Sequence, residues 1–332
     1  RRGASSASRP QPPHSARSGA EPSPARSHST RTATAMSAPL TPEAVAAAVG
    51  RLRKQRPLVQ CFPNVVAAEI SANVALAAGA APAMVVGVEE APQFASERAA
   101  AVSVNIGALT APALEAMTLA VSAAATSERR PPWVLDPVGC GGTEHRTRAA
   151  RGLLALGPAL VRGNASEIMA LYGAGGSSGP RGVDASDAAE AALPAAVAVA
   201  REHGCVVVIT GPTDYVTDGE MTATVAGGHA MVQRVTGTGC ALSALMAAFA
   251  AVAKAEGADG LGALGYATAC CAFYKACAVA AAADGAGPGA FKPRLLDALA
   301  MAEPQLVAAA AAALSFASVP TPPPAQRAGP AP

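Results

Sequence analysis

Val235-Thr236-Gly237-Thr238-Gly239-Cys240, with the apolar run from Ala241 to Val252 directly behind it, decides how the rest of the chain is read. Two glycines in four residues let the backbone turn tightly and come close to a ligand. Leu242, Leu245, Met246 and Phe249 then recur at the spacing of one helix face. Gly237 to Cys240 is therefore expected to open a helix, where unpaired N–H groups and the dipole make an anion site. Cys240 falls in the first turn, beside whatever anion binds. Taken alone, so short a match also fits an ordinary glycine-capped helix start.

Outward from this stretch, short apolar segments alternate with longer helical ones. Strands are expected at 57–62, 82–86, 101–104, 133–135, 159–161 and 205–209. Thr41-Pro42-Glu43 has the form of an N-cap, a Pro at N1 and an acid in the first turn, which predicts a helix to about Lys54. Further helices are expected after Asn64 as far as Gly79, from Thr110, over 144–156, after Asn164, and over 185–203 with a bend at Pro194. One or two more are expected, near 259–283 and 289–313. Asp218-Gly219, between two alternating segments, predicts a hairpin with a type I′ turn.

This alternation defines an α/β fold with a mainly parallel central sheet and helices on both faces. Ligands of such folds bind beyond the carboxyl ends of the strands. The loops 63–64, 87–90, 105–110, 136–142, 162–167 and 210–214 each follow a strand, so their polar residues converge on one rim.

Composition narrows the function classes. The 332 residues are 51% hydrophobic but only 3% aromatic, so the core is built from Ala, Val and Leu. A net charge of +2 gives no reason to expect nucleic acid. No membrane partner or span is expected, since Lys275 and Asp284 interrupt the nearest approach to about 20 strongly apolar residues. Seven cysteines without a C-x-x-C pair argue for free thiols in a reducing compartment, with Cys270, Cys271 and Cys277 as buried small hydrophobes. The five histidines show no metal-ligand spacing.

Three segments are expected. Residues 1–38 are Arg- and Ser-rich with a single acid, Glu21, and read as disordered. Their composition fits an organelle transit peptide, which would place the protein in a plastid or similar organelle. Initiation at Met36 is the competing reading and would leave it cytoplasmic. Residues 39–316 form the folded domain, and 317–332 a Pro-rich tail.

On the rim, Asp136 ends a strand ahead of Pro, Gly and Gly, and Glu167 sits early in a helix just after another strand. Two carboxylates suit Mg²⁺, which takes one or two acids plus water and phosphate oxygens. Separately, each also fits a turn residue or a helix-start acid. Arg162 offers a planar fork for phosphate. With the anion site at Gly237, the set reads as a nucleotide-phosphate site, and the chain contains no P-loop signature.

Pro57–Asn64, Asn105-Ile106-Gly107, Leu135–Gly139, Arg162–Glu167, Ile209-Thr210-Gly211 and Val235–Cys240 occur in an order and spacing that resembles the hydroxyethylthiazole kinases. The resemblance covers roughly residues 40–315 and implies a ribokinase-like three-layer sandwich. Cys240 is its sharpest mark, because most ribokinase-like enzymes carry Asp there. The resemblance implies ATP- and Mg²⁺-dependent phosphorylation of the hydroxyl of 4-methyl-5-(2-hydroxyethyl)thiazole, a step towards thiamine. It further implies Cys240 at the catalytic position and Met84 and Gly237 as thiazole contacts, with Asn64 and Gly107 lining the same pocket. Arg162 and Thr210 match ATP contacts, Asp136 and Glu167 match acids near Mg²⁺, and a homotrimer is expected. Gln60 and Phe62-Pro63 depart from the family's usual His and Ile-Thr, and the loop after Gly139 also differs.

In this reading Cys240, near a helix N-terminus, has a lowered thiol pKa and accepts the alcohol's proton, or else chiefly orients the hydroxyl. Two alternatives stand beside it. One is another ribokinase-like kinase acting on the hydroxymethylpyrimidine half of thiamine; the other is a non-catalytic thiazole- or nucleotide-binding protein.

Overall fold

The computed structural model describes residues 40–173, 189–257, 260–311 and 314–319. Expectations for 1–38, for 174–188 and for 320–332 lie outside the described residues. One nine-stranded sheet runs through the molecule in the order β2-β1-β3-β4-β5-β6-β7-β8-β9. Its strands are β1 (Leu58–Phe62), β2 (Ala81–Ala83), β3 (Ala101–Asn105), β4 (Trp133–Asp136), β5 (Leu160–Asn164), β6 (Val206–Thr210), β7 (Thr213–Thr217), β8 (Met221–Ala226) and β9 (Leu314–Ser318). The six strands from β2 to β6 are parallel, and β7, β8 and β9 add on antiparallel.

Both faces are covered, which explains why the central strands read as unbroken apolar runs. Val134, Val206 and Val208 face one apolar layer, while Trp133, Leu135, Val207 and Ile209 face the other. The first layer is closed by α1 (Pro42–Gln55), α2 (Ala68–Ala78), α8 (Thr238–Glu256), α9 (Gly262–Ala281) and α10 (Pro288–Met301). The second is closed by α3 (Ala91–Glu97), α4 (Ala111–Thr126), α5 (Glu144–Leu154), α6 (Ala165–Tyr172) and α7 (Leu193–His203). Among so few aromatics, Phe249 and Phe273 meet between α8 and α9, their ring centroids 6.5 Å apart and tilted by 51°.

The caps follow the sequence signals. Thr41 Oγ1 accepts from the Ala44 N–H, and Thr110 Oγ1 from that of Ala113. Gly79 ends α2 in the left-handed region at φ +106°. All seven cysteines are free, and Cys270, Cys271 and Cys277 are buried.

Several elements differ from expectation. The strand expected over 82–86 is only three residues long, Ala81–Ala83, and α3, a short helix with Pro92 in its first turn, follows it. Residues 189–191 are helical as expected, but a turn at Ala192 separates them from α7, which carries Pro194 in its first turn, as suits its fixed φ and missing N–H. The expected helix over 289–313 breaks into α10 and α11 (Pro304–Ala311), with Pro304 opening the second. Arg53 holds the end of α10 by donating to the Leu299 and Ala302 carbonyls, both at 2.9 Å. Leu314–Ser318 is a strand that pairs with β8, so ordered chain runs two residues past 316.

The β7–β8 hairpin forms, but its turn is not type I′, which needs positive φ at both central residues. Gly219 has φ +92°, while Asp218 stays at negative φ. The Asp218 carboxylate instead accepts from the N–H groups of Glu220 and Met221 at 2.9 and 2.8 Å, which sets the turn locally.

Helices α8 and α9 are long and apolar enough to cross a membrane, contrary to the expectation that no such run exists. Their most apolar windows are 67% and 78% buried inside the fold. Their apolar character is used in covering the sheet.

Candidate active site

Gly237 is the N-cap residue of helix α8, and its φ of +80° suits only glycine comfortably. A Cβ there would also lie 2.7 Å from Ile70 Cγ2. No side chain caps the helix. The first i→i−4 bond runs from the Ala241 N–H to the Gly237 carbonyl. The N–H groups of Thr238, Gly239 and Cys240 precede it in the first turn, the end of a helix where unpaired N–H groups and the dipole favour an anion. Thr238 turns its hydroxyl back to the Val232 and Val235 carbonyls at 2.7 and 3.0 Å, which fixes the loop entering the helix.

A chain of side chains runs from this helix across the carboxyl ends of β1, β3, β4, β5 and β6. Asn64 Nδ2 donates to Cys240 Sγ at 3.3 Å and to Asn105 Oδ1 at 2.9 Å. Asn105 Nδ2 donates to Asp136 Oδ2 at 2.7 Å, and the Ser243 hydroxyl reaches the same oxygen at 2.8 Å. Arg162 Nη1 lies 3.7 Å from Asp136 Oδ2, and its Nη2 donates to Thr210 Oγ1 at 2.8 Å. The guanidinium also closes on the start of α8, since a Cβ on Gly239 would sit 3.1 Å from Nη2.

Asp136 is fully buried, and its Oδ1 has no hydrogen-bond partner among the described residues. The same holds for Arg162 Nε. Unpaired buried groups of this kind are costly, so their presence on one rim points to a ligand that completes them. Burial pushes the Asp136 carboxyl up to about 6, against the pull of Arg162; Glu167 adds to the rise, and the Ser243 and Asn105 hydrogen bonds oppose it.

Glu167 is committed to the backbone. Its Oε2 accepts from Asn164 N at 2.9 Å and its Oε1 from Gly139 N at 2.8 Å, while Asn164 Oδ1 caps the helix through Glu167 N. This capping box ties the glycine-rich loop after β4 to the start of α6. Arg146 fixes that loop from the other side, donating to the Ile106 and Val138 carbonyls at 2.6 and 3.0 Å.

The expected lowering of the Cys240 thiol is not found. Burial holds it above its ordinary value and the charge of Asp136 adds to the rise, outweighing the asparagine hydrogen bonds and Arg162. The helix N-terminus favours a thiolate, but the carboxylate and the low-dielectric surroundings prevail. Cys240 rests as a thiol.

Of the sequence-expected residues, Asn64, Gly107, Asp136, Arg162, Thr210 and Cys240 thus share one hydrogen-bonded cluster, with Gly237 at its helix and Glu167 on the adjoining loop. Met84 stands apart from that network, 37% exposed just past the edge strand β2. Sequence reasoning gave no role to Asn105, Ser243, Asp214 or Lys275. Ser243 carried a signal, since it lies three residues after Cys240 and so shares its helix face. Lys275, the lone charge in α9, carried another. Its Nζ lies 3.3 Å from Asp214 Oδ1 and donates to the Gly211, Pro212 and Gly227 carbonyls at 2.9, 2.8 and 3.0 Å.

A parallel α/β sheet with an uncapped helix start, a buried acid and an arginine converging at its carboxyl rim is the architecture of a ribokinase-like kinase. The Hydroxyethylthiazole kinase family profile matches residues 49–305. A hydroxyethylthiazole kinase of Serratia proteamaculans is 48% identical over 260 residues, covering 78% of this chain and 94% of its own. That of Klebsiella pneumoniae is 49% identical over 260 residues, covering 78% and 96%. The solved structure of a hydroxyethylthiazole kinase from Pyrococcus horikoshii OT3 superposes with a TM-score of 0.71 at 33% identity, covering 83% of this chain and 99% of that one. This chain belongs to the hydroxyethylthiazole kinase family.

Proposed function

We infer that this chain transfers the γ-phosphoryl group of ATP to the hydroxyl of 4-methyl-5-(2-hydroxyethyl)thiazole, in thiamine salvage. The observation that carries this reading is the unbroken line Cys240–Asn64–Asn105–Asp136–Arg162–Thr210 laid across the opening of α8. It supports a reading in which an alcohol and phosphate oxygens would be held within one network.

Phosphoryl transfer demands positioning and charge neutralisation more than covalent work by the protein. The N–H groups of Thr238, Gly239 and Cys240 would hold the phosphoryl oxygens as charge shifts. Arg162, fixed by Thr210 and Asp136, would bind nucleotide phosphate. Cys240, held by Asn64, would orient the acceptor hydroxyl, and Met84 would close on the thiazole ring, a sulfur contact worth about 1 kcal/mol. The free oxygen of Asp136 suits Mg²⁺, a hard cation, with Glu167 alongside. Bound there, Mg²⁺ would neutralise phosphate charge.

The same reading carries a homotrimer with subunits meeting near the site. Support comes from Val65, Val66 and Val86, which follow β1 and β2 and are 82%, 64% and 46% exposed. Sedimentation at micromolar protein tests it, and a monomer there ends the trimer reading.

Incubation with Mg²⁺-ATP and either the thiazole alcohol or hydroxymethylpyrimidine, followed by mass, tests the reaction. Phosphorylated thiazole alone is expected. Product from the pyrimidine alone would reassign the substrate, and thiazole binding without product would make the chain a binding protein.

Gly107→Ala tests the acceptor side. The added Cβ would lie 2.7 Å from Asn64 Nδ2 and 2.8 Å from Asn64 Cβ, so the asparagine must move away from Cys240. Overpacking of this kind costs about 1–3 kcal/mol, and kcat/KM for the thiazole alcohol should fall about tenfold or more. Unchanged kinetics would separate Asn64 from the reaction.

A further inference from the structure

Among the described residues, Asn105 is the one side chain that hydrogen-bonds both to Asn64 and to Asp136. Its Oδ1 accepts from Asn64 Nδ2 and from the Gly107 N–H, both at 2.9 Å, and its Nδ2 donates to Asp136 Oδ2 at 2.7 Å. The amide can face only one way, because a backbone N–H requires the oxygen and a carboxylate requires the nitrogen. It is buried at the end of β3, beside Asp136 in register on β4. Ser243 approaches Asp136 from α8 and takes the same carboxylate oxygen, at 2.8 Å. Among the described residues, every side-chain partner of Asp136 thus crowds onto Oδ2 while Oδ1 has none.

We propose that Asn105 is a positioning residue joining the alcohol half of the site to the phosphate half, and that Ser243 shares its task of clamping Asp136 by one oxygen so that the other is presented to the metal–nucleotide. One rigid amide then fixes the spacing between the acceptor hydroxyl, through Asn64 and Cys240, and the phosphate oxygens, through Asp136. This rests on the phosphotransfer reading above. The two can be tested apart.

Asn105→Asp keeps the shape. Its Oδ1 still accepts from Asn64 and Gly107, while its second oxygen offers Asp136 no N–H and, above the pH at which the two carboxyls share a proton, where the binding is measured, repels it. Asn105→Ala removes both halves, and Ser243→Ala removes one hydrogen bond to Asp136 alone. Three quantities are read: Mn²⁺ binding in the presence of ADP by electron paramagnetic resonance, thiazole-alcohol binding by calorimetry without nucleotide, and the thermal midpoint.

Asn105→Asp is expected to weaken Mn²⁺ binding with ADP by about 10–100-fold, the usual loss when a ligand's supporting partner is removed, and to leave thiazole affinity within about threefold, a change below 1 kcal/mol. Asn105→Ala should weaken both. Ser243→Ala should weaken only Mn²⁺ binding, and it decides the Asp136 half should the Asn105 variants not fold. The proposal is overturned if Asn105→Asp binds Mn²⁺ with ADP as wild type does, or loses thiazole as fully as Asn105→Ala. It is equally overturned if Ser243→Ala matches wild type, if wild type binds no Mn²⁺ with ADP, or if all losses track the thermal midpoint alone. Wild type that binds Mn²⁺ with ADP but no thiazole alcohol would sink the substrate reading instead, and the Mn²⁺ measurements would still decide the clamp on Asp136.

Discussion

Replacing Cys240 with alanine is expected to lower kcat by about 10²-fold, the lower end of what a positioned proton acceptor contributes. The lower end applies because the thiol, raised by burial and by Asp136, rests protonated. In the proposed reaction its first task would be to orient the acceptor hydroxyl at the start of α8, with Asn64 Nδ2 on its sulfur at 3.3 Å. Steady-state rates at saturating ATP and thiazole alcohol read this directly. Cys240→Asp makes the comparison sharper. A carboxylate at the same place still accepts from Asn64 and is a ready proton acceptor, so turnover should be retained there and lost in Cys240→Ala. Wild-type turnover in Cys240→Ala would remove the thiol from the reaction altogether.

The largest stability effect is expected at Lys275. Its ammonium and the Asp214 carboxylate are 11% and 3% exposed, and the pair holds the turn after β6 and the end of β8 against α9. Three N–H bonds serve four acceptors: Asp214 and the carbonyls of Gly211, Pro212 and Gly227. Lys275→Met removes the cation and leaves a buried carboxylate beside three carbonyls. Breaking such a pair from one side costs about 3–5 kcal/mol, read as a lower denaturation midpoint. The double variant Lys275→Met, Asp214→Leu should recover part of the loss, because apolar replacement of both partners removes the stranded charge. A loss under about 1 kcal/mol in the single variant would put the pair in the class of surface bridges. Because the turn at Gly211 follows Thr210, nucleotide affinity should weaken with it.

Much of this was legible in the chain. Val206 to Ile209 read as a strand because both faces of a parallel sheet are covered, and the motif residues lay at strand ends because that is where such sheets open. What escaped reading were contacts between distant parts. Asn105 and Asp136 are 31 residues apart, and Ser243 and Asp136 are 107 apart. No local spacing announces those bonds. The direction of the Cys240 shift failed for the same reason, since the helix start is visible in sequence and the neighbouring carboxylate is not. β9 was missed because Leu314–Ser318 becomes a strand only through the free edge of β8, and the break ahead of Pro304 was hidden by the alanines on its far side.

Trp133, the single tryptophan of the chain, opens β4 and is 3% exposed. Alternation along the strand sends Trp133 and Leu135 to one apolar layer and Val134 to the other. Asp136 shares the face of Val134, where Ser243 meets it, so the indole points away from the site although it stands three residues from it. Its fluorescence therefore comes from one dry environment on the far side of the sheet. The emission should shift to the red when the sheet comes apart and hold still when the rim fills, which makes it an intrinsic dye for unfolding that ligand binding does not contaminate.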